Sequence, residues 1–179
     1  MVNASEVVAY WRKAGYEKWF TRDEAFDADF KARFAEAHYA ASTCALDQWM
    51  DSAEGALALV ILLDQFPRNA YRKSAHTYAT DSLARHYADR AIAAGFDLVV
   101  DPELRIFLYM PFEHSENIAD QERSVALCEA MDDQNYLGYA NAHRDVIQRF
   151  GRFPHRNREL GRFSTAEEQA WLDAGGGFG

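Results

Sequence analysis

Apolar residues recur at spacings of three and four through most of this 179-residue chain. Phe26, Phe30, Phe34 and Ala37 form one such series. A spacing near 3.6 places these side chains on one face of an α-helix, so the series predicts a helix over residues 27–42. The chain shows neither a hairpin signal nor an alternation of strands with helices, and we therefore expect an all-α fold.

The longest apolar run, ALALVILL at residues 56–63, is the one segment whose pattern fits either a buried strand or a buried helix. Ala and Leu make up most of it, with a single Val and a single Ile. Because strands prefer β-branched residues, this composition favours a helix. Pro67 is predicted to end that helix and to push Phe66 out of helical geometry.

Start and stop residues divide the remaining sequence into further helices. Ser5 is a candidate cap for the first helix and Gly15 a candidate stop. Ser164 followed by Glu167 predicts a capping box for the last helix, and Pro102 predicts the first turn of another. The total is seven or eight helices with short loops, which indicates a stack of antiparallel helix pairs.

The length of the chain suits one domain, which we expect to span residues 1–174, followed by a disordered Gly-rich tail at residues 175–179. Cys44 and Cys128 match no zinc or redox spacing, so we expect two buried free thiols in a reducing cytoplasm. No apolar run approaches the roughly 18 residues that a membrane span needs. The sequence therefore predicts a soluble cytoplasmic protein.

Positive charge is concentrated in one segment of an acidic chain. Between residues 143 and 162 six arginines face two carboxylates, which gives that segment +4, whereas the whole chain carries −9 and the remainder therefore −13. Such a chain is expected to repel nucleic acid and anionic membranes. The partner we expect instead is a small anionic ligand or a peptide, and the sequence leaves the oligomeric state open.

Three stretches combine a proline with aromatic and polar residues. They are LDQFPRN (residues 63–69), MPFEHSE (110–116) and RFGRFPHRN (149–157), named here the first, second and third stretches. Proline and aromatic anchors give a rigid backbone for polar side chains, as a recognition site requires, so we predict that the three converge. The candidate ligand-binding residues are Arg68, Asn69, His114, Glu116, His143, Arg149, Arg152, His155, Arg156 and Asn157.

These residues allow more than one chemistry. Arginine forks fit carboxylate or phosphate, but they also form internal ion pairs with carboxylates such as Glu113 and Asp64. His114 with Glu116 is a candidate acid–base pair, whereas an inward His143 is more often a hydrogen-bonded core residue. Neither an HExxH motif nor a cysteine pair is present, so we expect no metal and no cofactor.

The three stretches, together with LGRFSTAEE at residues 160–168, resemble the motifs of the bacterial domain-of-unknown-function family 924. The similarity covers about residues 19–171. It implies an all-helical fold similar to tetratricopeptide repeats and no established activity. The residues that match the family strings are Asp64, Gln65, Pro67, Arg68, Asn69, His114, Ser115, Glu116 and residues 149–157.

Three functional hypotheses follow. The first is a binding module whose stacked helices leave a concave groove for an anionic ligand or peptide. The second is an enzyme in which Arg149, Arg152 and Arg156 hold a phosphorylated or carboxylated substrate while His114 and Glu116 move protons. The third is a structural partner protein with an internal ion-pair network. Arginines saturated by carboxylates favour the third, and an open site with a polarised histidine favours the first two.

Overall fold

The computed structural model describes residues 2–178, and no β-strand occurs among them. Helical residues, with 3-10 and π turns included, make up 72% of the chain. The all-α fold that the periodicity predicts is therefore confirmed. Within the same residues, no helix is long and apolar enough to cross a bilayer.

Internal contacts divide the chain into two compact units. The first unit holds the described residues up to Arg72 and the segment His76–Pro111. The second holds Lys73–Ala75 and the described residues from Phe112 onward. The single domain that we expect over residues 1–174 stays a prediction.

The first unit is a set of helices joined by short connections. They are α1 (Ala4–Phe20), α2 (Glu24–Ser42), α3 (Ala53–Val60), α4 (Phe66–Ala70), α5 (Asp81–Ala93) and α6 (Ile106–Glu113), whose end enters the second unit. Its core contains the buried rings of Trp11, Phe30, Phe66 and Phe107. The Trp11 ring centroid lies 5.3 Å from those of both Phe30 and Phe107, so aromatic packing links α1, α2 and α6.

The caps of α1 differ from the prediction. Asn3, not Ser5, accepts a hydrogen bond from the Glu6 backbone N–H, and the Glu6 carboxylate accepts one from the Asn3 N–H. Gly15 has non-helical angles (φ 74°, ψ 171°), and a second helical segment continues beyond it to Phe20. Gly15 therefore kinks α1 instead of ending it.

The long apolar run is helical, as its composition predicts, but Pro67 does not end the helix. A π-helical turn at Ile61–Gln65 follows α3 and leads directly into α4. That turn shifts the hydrogen-bond register, so Pro67 occupies the first turn of α4, where its missing N–H has no helical partner to lose. Phe66 accordingly keeps helical angles (φ −55°, ψ −47°).

Two further predictions for this unit are wrong. Pro102 does not begin a helix, because residues 102–105 form turns and α6 starts at Ile106. Cys44 is an exposed thiol in the turn after α2, where its backbone is left-handed (φ 60°). Cys128 is buried and free, as expected.

The second unit is built on a helical hairpin. α7 (Ile118–Ala130) and α8 (Gln134–Phe150) pack together across a three-residue connection, which makes them antiparallel neighbours. A 3-10 turn at Pro154–Arg156 and the helix α9 (Ala166–Asp173) follow.

In the second unit, the capping box of α9 lies one residue further along the chain than predicted. Asn117 caps α7 through its side-chain oxygen. The capping box of α9 consists of Thr165 and Glu168, not Ser164 and Glu167. The displaced Ser164 hydroxyl instead accepts a hydrogen bond from Asn157 Nδ2 at 3.1 Å.

Candidate functional site

The second and third stretches meet at Glu116. Its Oε1 accepts a hydrogen bond from the backbone N–H of Phe153, 37 positions away in the sequence, at 2.8 Å. Arg162 adds a parallel fork, with Nη1 donating to Oε2 at 2.7 Å and Nη2 to Oε1 at 2.9 Å. Arg162 Nη2 also donates to the Phe153 carbonyl at 3.1 Å. One carboxylate therefore fixes the backbone of the third stretch.

Glu116 is held in its charged form. Partial burial alone would raise the pKa of this carboxyl, but the hydrogen bonds from Arg162 and the Phe153 amide outweigh burial and lower the pKa below its usual value. A carboxylate engaged in this way is a poor proton donor at neutral pH. Glu116 therefore acts as an anchor in this unit.

Arg152 binds Glu168 on α9 with a second fork. Arg152 Nε donates to Oε1 at 2.6 Å and Nη2 donates to Oε2 at 2.8 Å. The same Nη2 reaches the Phe163 carbonyl at 2.9 Å. Glu168 also receives a hydrogen bond from Asn157 Nδ2 at 3.3 Å. The hydrogen bond from Arg152 is the main reason that the pKa of Glu168 falls to about 2.

Arg149, Arg156 and Arg158 of the basic segment differ in exposure. Arg149 bonds one oxygen of Glu167 through Nε and Nη2, but both side chains are exposed, and such pairs contribute little to stability. Arg158 is exposed, whereas Arg156 is buried. The sequence predicts Arg149 and Arg152 as anion ligands, and the structure places both on carboxylates of α9.

Arg68 and Asn69 of the first stretch bind carboxylates of the first unit. Arg68 binds Asp81 through Nη1 at 2.8 Å and Nη2 at 3.1 Å, and its Nη1 lies 3.3 Å from Asp64 Oδ1. Asn69 Nδ2 donates to Asp27 at 2.7 Å. Burial alone would lower the pKa of Arg68, but the charges of Asp64 and Asp81 raise it. The predicted convergence of this stretch with the other two stays a prediction.

Three histidines of the second unit form a histidine cluster: His114 after α6, His143 on α8 and His155 in the 3-10 turn. The ring centroids of His114 and His143 lie 6.3 Å apart. The centroid of the Phe153 ring lies 5.7 Å from that of His143 and 5.5 Å from that of His155. His114 of the second stretch and His155 of the third stretch therefore belong to one group of packed rings.

His143 is buried and neutral. Its side chain lies 2.9 Å from the Tyr139 carbonyl through Nδ1, and the same nitrogen lies 3.3 Å from Glu113 Oε1. Burial, followed by repulsion from His114, lowers the pKa of His143 to about 3. The contact with Glu113 is therefore not an ion pair at neutral pH. Nδ1 donates to Tyr139, which leaves the lone pair on Nε2.

His155 is also held neutral. Burial, and then the charge of Arg156, lowers its pKa to about 4. Its Nδ1 is buried and has no hydrogen-bond partner among the described residues. The Arg156 guanidinium carbon lies 4.4 Å from the centroid of the Phe153 ring. The positive charge of Arg156 thus lies near the neutral ring of His155, whose Nδ1 has no hydrogen-bond partner among the described residues.

Phe178 in the described part of the tail packs on two members of the histidine cluster, His143 and His155, while the disorder expected for residues 175–179 stays a prediction. Phe178 stacks on His143 with ring centroids 3.6 Å apart and an interplanar angle of 16°. The same ring lies 5.8 Å from His155 and packs edge-on to Phe153 at 6.1 Å. Phe150 and Trp171 complete this apolar contact, which holds the described part of the tail in place.

Comparison with known proteins agrees with the motifs. The family model of the bacterial proteins of unknown function called DUF924 matches residues 7–176. The chain belongs to the DUF924 family. A solved structure, that of the protein of unknown function ATU0120 from Agrobacterium tumefaciens, matches with a TM-score of 0.93 and 51% identity, over 96% of this chain and 97% of that one. A comparison with curated protein sequences finds no match.

Three residues of this DUF924 protein were missed as site residues. They are Arg162, Glu168 and Phe178. A capping box with its glutamate three residues after Thr165 could have identified Glu168. Nothing in the sequence GGGFG indicates that its phenylalanine packs on a histidine on α8.

The DUF924 chain has another surface feature in its first unit, a shallow groove of about 470 Å³ beside α1 and α2. Tyr10, Asp29 and Arg33 contribute to its lining, and Asp29 accepts hydrogen bonds from both of the others. Among residues 2–178, no three His, Cys, Asp or Glu side chains are placed to hold a metal ion.

Proposed function

We propose that this DUF924 protein is a binding module for a small anionic ligand, with its site at the histidine cluster and Arg156. The observation that supports this best is the grouping of two neutral imidazoles, buried His143 and half-buried His155, with the buried guanidinium of Arg156 around the Phe153 ring. Nδ1 of His155 is buried without a hydrogen-bond partner among the described residues, and such burial costs free energy. A ligand that bonds to this nitrogen would recover that cost.

The arginine forks form the framework of this site. Arg152 and Arg162 tie the third stretch to Glu168 and Glu116, as the hypothesis of internal ion pairs expects. Arg156, buried beside the Phe153 ring, adds a positive charge next to the histidine cluster, and a positive charge attracts an anion. The helical hairpin of α7 and α8 supports the comparison with tetratricopeptide-like stacks.

The location and partners that we propose follow from the charge and the cysteines. Two free thiols, one of them exposed, suit a reducing cytoplasm. The charge of −13 outside the basic segment opposes nucleic acid and anionic membranes. The enzyme hypothesis has less support, because Glu116 is committed to Arg162 and to the Phe153 amide instead of to proton transfer.

Thermal melting with inorganic phosphate tests the proposed site. Phosphate at about 100 times its Kd adds about 2.7 kcal/mol to the stability, which raises Tm by roughly 5–11 °C for a chain of this length. Arg156→Ala should abolish this rise. Arg152→Ala should lower Tm without phosphate, because it breaks the fork on Glu168, but should keep the rise.

Arg158→Ala is the matched control, because it removes an exposed arginine of the same segment. It should melt like the parent and respond to phosphate like the parent. An Arg156→Ala protein that keeps the full phosphate response would overturn the assignment of the site.

A further inference from the structure

The end of the described tail has the features of a ligand. Phe178 is the residue that covers His143, and its ring lies nearly parallel to the imidazole at 3.6 Å. The last backbone hydrogen bond within the described tail runs from the Gly176 N–H to the Trp171 carbonyl at 3.0 Å. Beyond that bond, Phe178 is held by side-chain contacts with His143, Phe153 and His155.

The glycines of the tail direct this ring to its position. A Cβ atom on Gly176 would lie 2.3 Å from the Trp171 ring, so only glycine lets the backbone pass that close. Gly177 has φ 145° and lies against His155, where an added Cβ would be 3.5 Å from the His155 Cβ. The two glycines thus allow the backbone to pass close to Trp171 and His155, which brings Phe178 to the histidine cluster.

The groups around the ring define which molecule could replace it. A flat, apolar face is offered by His143 and Phe153, and a positive charge by Arg156 beside Phe153. The unused Nδ1 of His155 lies in the same cluster. The Glu113 carboxylate lies 3.3 Å from His143 Nδ1 and repels an anion there, so an anionic group is favoured toward His155 and Arg156. A planar ring that carries a carboxylate satisfies all of these groups.

We propose that the site takes a small aromatic carboxylic acid, and that Phe178 is a built-in competitor that closes the site until such a ligand displaces it. This inference rests on the proposed function, which places an anion at the same residues. When a closed state dominates by about ten to one, the apparent affinity for ligand is reduced about tenfold. Removal of the Phe178 ring should therefore raise the apparent affinity about tenfold.

Isothermal titration calorimetry with 3-phenylpropionate tests this inference. Phe178→Ala should bind this acid about tenfold more tightly than the parent does, since the competitor is gone. Phe178→Leu keeps the apolar contact without a flat ring and should fall between the two, which provides a second variant with more native packing. Phe163→Ala is the matched control, because Phe163 is 95% exposed, and it should bind like the parent.

A second acid separates this inference from the proposed function. 3-Cyclohexylpropionate has the same charge but no planar ring, so it should bind Phe178→Ala more weakly than 3-phenylpropionate does. Equal affinity for the two acids, or equal affinity of parent and Phe178→Ala, would overturn the inference. If phosphate still stabilises the protein in that case, the proposed anion site stands. If neither acid nor phosphate has an effect, both proposals fail.

Discussion

Arg68→Ala is expected to lower Tm by about 6–20 °C. The Asp64 side chain is fully buried and Asp81 nearly so, and Arg68 supplies the positive charge between them. Removal of one member of a buried ion pair costs about 3–5 kcal/mol, because the remaining charge stays buried. At this chain length each kcal/mol corresponds to about 2–4 °C. Differential scanning calorimetry measures the shift.

Two variants check the cause of that loss. Arg68→Lys keeps the charge but not the planar fork, so its Tm should fall between those of the parent and Arg68→Ala. Arg22→Ala removes an exposed ion pair with Glu24 and should shift Tm by little, since such pairs contribute about 0–1 kcal/mol. A loss for Arg68→Ala no larger than that for Arg22→Ala would show that the Arg68 pairs do not stabilise the first unit.

Acid is expected to destabilise the protein well above the pH at which carboxylates titrate. The unfolded chain binds protons on its histidines near pH 6.5, whereas His143 and His155 bind them in the folded state only near pH 3 and pH 4. Their stabilising effect is therefore complete above about pH 6.5 and is lost as pH falls toward those values. Each histidine should contribute a slope of about 1 kcal/mol per pH unit between pH 5 and 6.

Urea unfolding at several pH values measures this slope. His143→Gln removes one of the two groups, so the free energy of unfolding should fall less steeply between pH 6 and pH 5, by about 1 kcal/mol per pH unit. His86→Gln, at an exposed position, is the matched control and should keep the slope of the parent. If His143→Gln keeps it too, His143 is not held neutral by burial.

Local chemistry explains what the sequence could predict. The helix α2 and the helical apolar run follow from periodicity and composition, which act within a few residues. The prolines and aromatic residues also predict that the second stretch, which includes Glu116, and the third stretch hold polar side chains on a rigid backbone. In each case the residues that carry the pattern are close to one another in the sequence.

The remainder depends on distances that the sequence does not contain. The π turn before Pro67 changes the hydrogen-bond register, and no residue in it identifies that change. Whether Arg152 binds a ligand or Glu168 depends on where α9 packs. The position of Phe178 depends in turn on the passage of Gly176 beside Trp171. The basic segment therefore shows where positive charge lies in the sequence, but it does not identify Glu167 and Glu168 as the partners of Arg149 and Arg152.

Imidazole NMR of His143 and His155 across pH, with and without phosphate, tests the central claim most directly. Without phosphate both rings should stay unprotonated at pH 5, since their pKa values are about 3 and about 4. A phosphate bound beside them stabilises the protonated rings, so it should raise the pKa of His155 and also that of His143. The signals of exposed His86 should not respond to phosphate. Titration of His143 and His155 near pH 6.5, or pKa values that phosphate leaves unchanged, would contradict a ligand site at the histidine cluster.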